Sequence, residues 1–272
     1  MDTTSIHPYF RDDERLSLAD KELELKSSAA SISTTNTAVE SLGPENCSFT
    51  PGRSFFIGAN GVRAIRLPFP SSQLEIPIYH SDGSLAYVST REKKCSGNAV
   101  LSSPKLGDLV STSYFFGPKR DPVIRLLQSP NSDPLQDEIK VTGKWTSRTQ
   151  SFVAPNGSTF IWRYVRQKGT TSAWDCCDGT SRLLVLEKKT DEGPVTGPGQ
   201  RIAQLVRNKH TRPKGTSKST AGNGGELVLA RDAKLVLDEA LIVATCILML
   251  KKEIDRRRAL QFMIFCGIIV GN

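Results

Sequence analysis

The sequence predicts a mainly β fold: a closed antiparallel barrel of about twelve strands around a buried hydrophobic C-terminal helix. Three observations predict it. From Phe49 to Ala230 the chain breaks into short apolar runs of strand length, separated by Gly, Pro, Asn and Asp. The 15 Pro and 21 Gly favour many turns over long helices. Within Asp238–Arg258, the stretch Ala240–Leu250 is apolar on every side, with Thr245 and Cys246 as mild interruptions. A surface helix is apolar on one face only, so a helix apolar all round must be buried all round. Strands lose their open edges by closing into a barrel, and a barrel of that size needs its lumen filled.

In chain order, residues 1–45 come first, rich in Ser and Thr, with four Lys/Arg against nine Asp/Glu. Such a segment cannot bury enough apolar area to offset its ordering entropy, and it is expected to be disordered. Leu16–Lys26 within it is a transient helix at most, read as a solvated stretch, with a motif for protein partners as the alternative. The barrel domain is expected to span 46–272. Its strands are read at Arg53–Ile57, Val62–Leu67, Leu74–Tyr79, Leu85–Ser89, Thr112–Phe116 and Val123–Gln128. Asn60-Gly61 and Asp82-Gly83 lie between neighbouring runs, which is the strongest short hairpin signal. Ile139–Trp145 and Gln150–Ala154 follow. Pro155-Asn156-Gly157 then turns the chain into Thr159–Arg166, where Phe160, Trp162 and Tyr164 alternate with Ile161, Arg163 and Val165. That period of two marks a half-buried strand. Trp174–Cys176, Arg182–Glu187, Arg201–Val206 and Glu226–Ala230 complete the series, and the helix, expected over about 236–258, follows.

A membrane span is the rival reading of that helix, and it fails on length and charge. A span needs about 20 apolar residues, twice the run available. A second apolar stretch, Phe262–Val270, is separated from the first by Lys251–Arg258, in which seven of eight residues are charged. Each charge at mid-bilayer costs about 3 kcal/mol even on a lenient scale. Within the helix, Asp238 and Glu239 would sit at the N-terminus and Lys251, Lys252 and Arg256–Arg258 at the C-terminus, as the helix dipole favours.

No secretory h-region is present at the N-terminus, and the six cysteines show no regular spacing. Both features are expected of a reduced intracellular protein. Chemistry-bearing motifs are missing too. The three histidines, His7, His80 and His210, are isolated, and HExxH, GxSxG and CxxC do not occur. Gly215-Thr216-Ser217-Lys218-Ser219 lacks the second glycine of a phosphate loop. No enzyme activity, metal or cofactor is expected.

From Phe152 to Arg258 the chain resembles the tubby C-terminal-like superfamily, which includes LURP-one-related proteins, phospholipid scramblases and fungal tubby-like families. The residues that carry it are Phe152, Pro155-Asn156-Gly157 and Phe160–Arg163, then the strands at Arg201-Ile202-Ala203 and Gly225-Glu226-Leu227, and the closing helix Leu237–Arg258. The resemblance implies a barrel of about twelve antiparallel strands around a near-C-terminal helix. It also implies binding of phosphoinositides through basic surface residues, none of which can be matched one by one. The chain departs from the pattern in its apolar tail, Ala259–Asn272, and in a basic insertion.

That insertion, Arg207–Lys218, is the leading surface feature. It holds Arg207, Lys209, Arg212, Lys214 and Lys218, with no acid. The chain as a whole carries +8, but residues 1–45 carry −5 (4 − 9), so the remainder carries +13. A flexible basic loop gathers anionic headgroups at about 1 kcal/mol per basic residue near an acidic leaflet. The expected function is therefore non-enzymatic binding at an anionic, phosphoinositide-bearing membrane surface, and nucleic acid is not expected as a partner. The alternative is a scaffold that recruits proteins through its N-terminal segment.

Overall fold

The computed structural model describes residues 49–63, 73–94, 96–127, 138–144, 147–167, 181–189 and 199–270. The N-terminal segment 1–45 and the strand expected at Trp174–Cys176 lie outside them, as does most of that expected at Val62–Leu67. Twelve antiparallel strands close a barrel. Strand β1 (Pro51–Ile57) pairs with β3 (Glu75–His80) on one side and β14 (Glu226–Ala230) on the other. From β3 the chain runs through consecutive antiparallel neighbours: β4 (Leu85–Thr90), β5 (Ala99–Ser103), β6 (Gly107–Ser113), β7 (Val123–Leu126) and β8 (Glu138–Thr142). β9 (Gln150–Val153), β10 (Thr159–Gln167), β11 (Ser181–Lys188) and β12 (Gln200–Val206) follow, and β14 completes the ring between β12 and β1.

Alternation decides what faces the lumen. In β3, Ile76 and Ile78 are buried while Glu75 and Tyr79 face out. In β10, Phe160 and Trp162 are buried completely, and Phe160 stacks on Phe152 of β9 at 5.5 Å. Two turns match their sequence signals. Gly83 (φ +84) closes the β3–β4 hairpin, and Asp82 Oδ1 accepts from the Ser84 amide at 2.8 Å. Gly157 (φ +77) turns β9 into β10.

Asn60-Gly61 is a correction. It joins no hairpin, but lies in β2 (Asn60–Val62), which pairs with β13 (Ala221–Asn223) as a separate two-stranded ribbon. The Thr112–Phe116 expectation is also displaced, because the strand there, β6, ends at Ser113, and β5 before it was not anticipated.

The helix fills the lumen. A short helix α1 (Ala233–Val236) precedes it, and Leu237 is extended (φ −151°, ψ 143°), so the long helix α2 begins at Glu239 rather than near 236. Asp238 Oδ1 caps it, accepting from the Leu241 amide at 3.1 Å. Leu241, Ala244, Thr245, Ile247 and Leu248 are all buried although they lie on different faces. The Thr245 hydroxyl is satisfied inside the helix, donating to Leu241 O at 2.8 Å. At its far end α2 departs from expectation. It does not stop at Arg258 but continues to Val270, 32 residues in all. Ala259-Leu260-Gln261 are good helix formers, and no proline or capping glycine intervenes. Among the described residues, no helix is long and apolar enough to cross a membrane.

Candidate functional site: a cationic barrel mouth

Where α2 leaves the barrel its sequence turns from apolar to charged, and three faces of the helix acquire three sets of partners. On one face Lys251 Nζ reaches both oxygens of Asp255, at 2.7 and 2.9 Å, one helical turn on. Both residues are buried, and Arg258 approaches the same carboxylate at 3.8 Å. On a second face Lys252 donates to Gln150 Oε1 of β9, and Arg256 donates to Ser147 O at 2.6 Å. On the third, Glu253 meets Arg207 at the end of β12 through two bonds, 2.9 and 3.0 Å. The Tyr164 hydroxyl of β10 donates to Glu253 as well, and so does the Gly222 amide, at 2.7 Å. Arg257 donates to Ser219 O at 3.1 Å.

Gly222 explains how β13 lies so close to the helix. Its φ is +69°, and a Cβ there would stand 2.4 Å from Ile254 Cγ1 and 2.5 Å from Leu250 O. Only a residue without a side chain fits that gap and that backbone.

Positive charge dominates the mouth. Among the described residues, Arg91, Arg148, Arg207, Lys251, Lys252, Arg256, Arg257 and Arg258 face Glu253, Asp255 and Asp121, eight cations against three carboxylates, or +5 (8 − 3). Desolvation penalises each buried charge. It lowers Arg91, Lys251, Arg256 and Arg257, brings Arg207 down to about 10, and with Arg256 nearby brings Lys252 down to about 8. Burial pushes the Glu253 carboxyl up to about 7, while the Gly222 amide and nearby arginines oppose that rise.

The basic loop is next to this mouth. Arg257 reaches Ser219, and Arg63 Nη2 donates to Gly215 O at 3.0 Å. The loop was expected to be flexible, yet it is built of hydrogen-bonded turns. Asn208 Oδ1 accepts from the His210 and Thr211 amides, Thr211 Oγ1 donates to Val206 O, and the Ser217 amide donates to Thr220 Oγ1. Of the five residues expected to bind anions, Lys209, Lys214 and Lys218 are exposed. Arg212 lies half-buried, with Nε donating to Asn208 O at 2.9 Å. Arg207 does not belong with them. Its guanidinium turns inward to Glu253 and sits over the Tyr164 ring at 5.8 Å, so its charge is spent within the fold.

The sequence reading missed Arg91, Arg148 and the role of Lys251–Arg258. Seven charges in the eight residues Lys251–Arg258 are the available signal, and in sequence they predict a helix end. A helix C-terminus and a polar layer crossing a barrel mouth carry the same composition.

No protein-family model and no curated protein matches the chain. Among solved structures, the chain is similar to the X-ray structure of a protein from Arabidopsis thaliana. The two share 13% identity over 78% of this chain and 97% of that one, at a TM-score of 0.39.

Proposed function

We propose that this protein is a non-enzymatic, tubby-like binding barrel whose cationic mouth docks on an anionic membrane surface, with phosphoinositide headgroups as the ligand class. The observation that carries the reading is the placement of exposed Lys209, Lys214 and Lys218 beside a mouth that already holds five more cations than carboxylates. Arg207, Lys251 and Arg258 pair with the carboxylates of Glu253 and Asp255. Arg256 and Arg257 instead bond to backbone carbonyls, which carry no net charge to cancel theirs. Such a field attracts polyanions over about a Debye length, roughly 8–10 Å at physiological salt. A chain of this kind would act inside the cell, peripheral at membranes. The resemblance of Phe152–Arg258 to tubby-type domains supports the same ligand class.

The test is liposome sedimentation at low and high salt, comparing neutral vesicles with vesicles carrying phosphoinositide. Changing Lys209, Lys214 and Lys218 together to Ser should weaken binding about ten-fold or more and flatten its salt dependence. Failure of the wild type to sediment with anionic vesicles at low salt would remove the reading and favour recruitment of proteins through residues 1–45.

A further inference from the structure

Beyond the charged layer, α2 continues for twelve residues, Ala259–Val270, without a single charge. Leu260, Phe262, Met263 and Ile264 are 51, 59, 57 and 64% exposed. At about 100° per residue Leu260, Met263 and Ile264 share one face of the helix and Phe262 points to the opposite side, so the exposed apolar surface is not one stripe. Gln261, lying between them, turns back to the body, with Nε2 donating to Arg63 O at 3.4 Å. The described fold thus spends a helical segment on water-facing apolar surface directly above a ring of arginines.

We propose that this end of α2 is an insertion helix that enters the hydrocarbon of an anionic membrane leaflet. Arg256, Arg257 and Arg258 would then lie at the level of the lipid phosphates. A partner helix or a second copy of the chain would cover one face of the segment, whereas acyl chains surround all of it. An in-plane interfacial helix needs a polar face, which this segment lacks. Its length fits one leaflet: twelve residues reach about 18 Å, against about 15 Å for half a hydrocarbon core. The cations at its root complement an anionic surface and do not complement a basic second copy. This proposal rests on the docking reading above and adds a mode, with charge bringing the protein to the surface and the helix end holding it there.

The experiment is flotation of the full chain with phosphatidylcholine vesicles containing or lacking phosphatidylserine, followed by a high-salt wash. The wild type should stay bound through the wash. Phe262→Ser, Met263→Ser and Ile264→Ser combined should melt as the wild type does, bind at low salt, and lose the salt-resistant fraction at least ten-fold. In parallel, Phe262→Trp should gain emission that is quenched by lipids brominated along the acyl chain, relative to the same measurement on the wild type. A wild type that binds and is wholly eluted by salt overturns insertion and leaves docking intact. Absence of binding under every condition overturns both. A lipid-free dimer that the triple substitution converts to monomer also overturns insertion, assigning the segment to a second copy.

Discussion

Ile247 belongs to the core cluster inside the barrel, and its side chain is buried. Ile247→Asp would place a carboxylate among apolar side chains, which costs several kcal/mol and approaches the whole stability of an ordinary domain. Insoluble or unfolded protein is expected, read by circular dichroism and thermal melting, while Ile6→Asp in the N-terminal segment should be silent. Lys252 poses the opposite case, a charge already buried. Its folded value of about 8 lies below its ordinary 10.5, so between those values the unfolded chain holds the proton more tightly. Stability attributable to this group therefore rises with pH across that window, and below it the charged lysine is a burden. Lys252→Met should melt above the wild type at pH 7, and the gap should narrow towards pH 10. Cys246, pushed up to about 12 by burial, contributes equally to both proteins and cancels in the comparison. A gap that stays constant with pH would sink the assignment.

Elements were legible where side chains carry the period and turn residues mark the ends. Strands β3 and β10 are of that kind, with lumen residues Ile76, Ile78, Phe160 and Trp162 alternating with more exposed ones. β5, with the sequence AVLSS, carries no such period, since only Leu101 is fully buried in it. β13, with the sequence AGN, has almost no side chains to read, and its conformation is decided by β2 in front and α2 behind. The Asn60-Gly61 signal did mark a positive φ, +64° at Gly61. There it serves close approach, because a Cβ would meet Ala221 O at 2.4 Å. Gly222 tests this ribbon. Gly222→Ala combines a left-handed backbone with contact against α2, so a loss of about 1–3 kcal/mol is expected from denaturant midpoints. A loss confined to a few tenths would mean that β13 can lift off the helix at little cost.

At the scale of the molecule, one helix does two jobs that its charged layer separates. Glu239–Leu250 completes the core, and Lys251–Arg258 ties β9, β12 and β13 to the barrel mouth. Beyond that layer Leu260, Phe262, Met263 and Ile264 are exposed, while Gln261 bonds to Arg63 O. Truncation should therefore be sharply dependent on position. Removing residues 259–272 takes away exposed apolar surface, and the remaining barrel should melt within a few degrees of the full chain and be more soluble. Removing 238–272 empties the lumen of Leu241, Ile242, Val243, Ile247, Leu248 and Leu250 together. At roughly 2–5 kcal/mol for each large side chain lost from a core, no ordinary domain stability survives that change. Cooperative unfolding should persist in the first truncation and vanish in the second. A cooperatively folded product of the second would show that the strands close without the helix, and it would move the whole of α2, not only its end, into the role of an anchor.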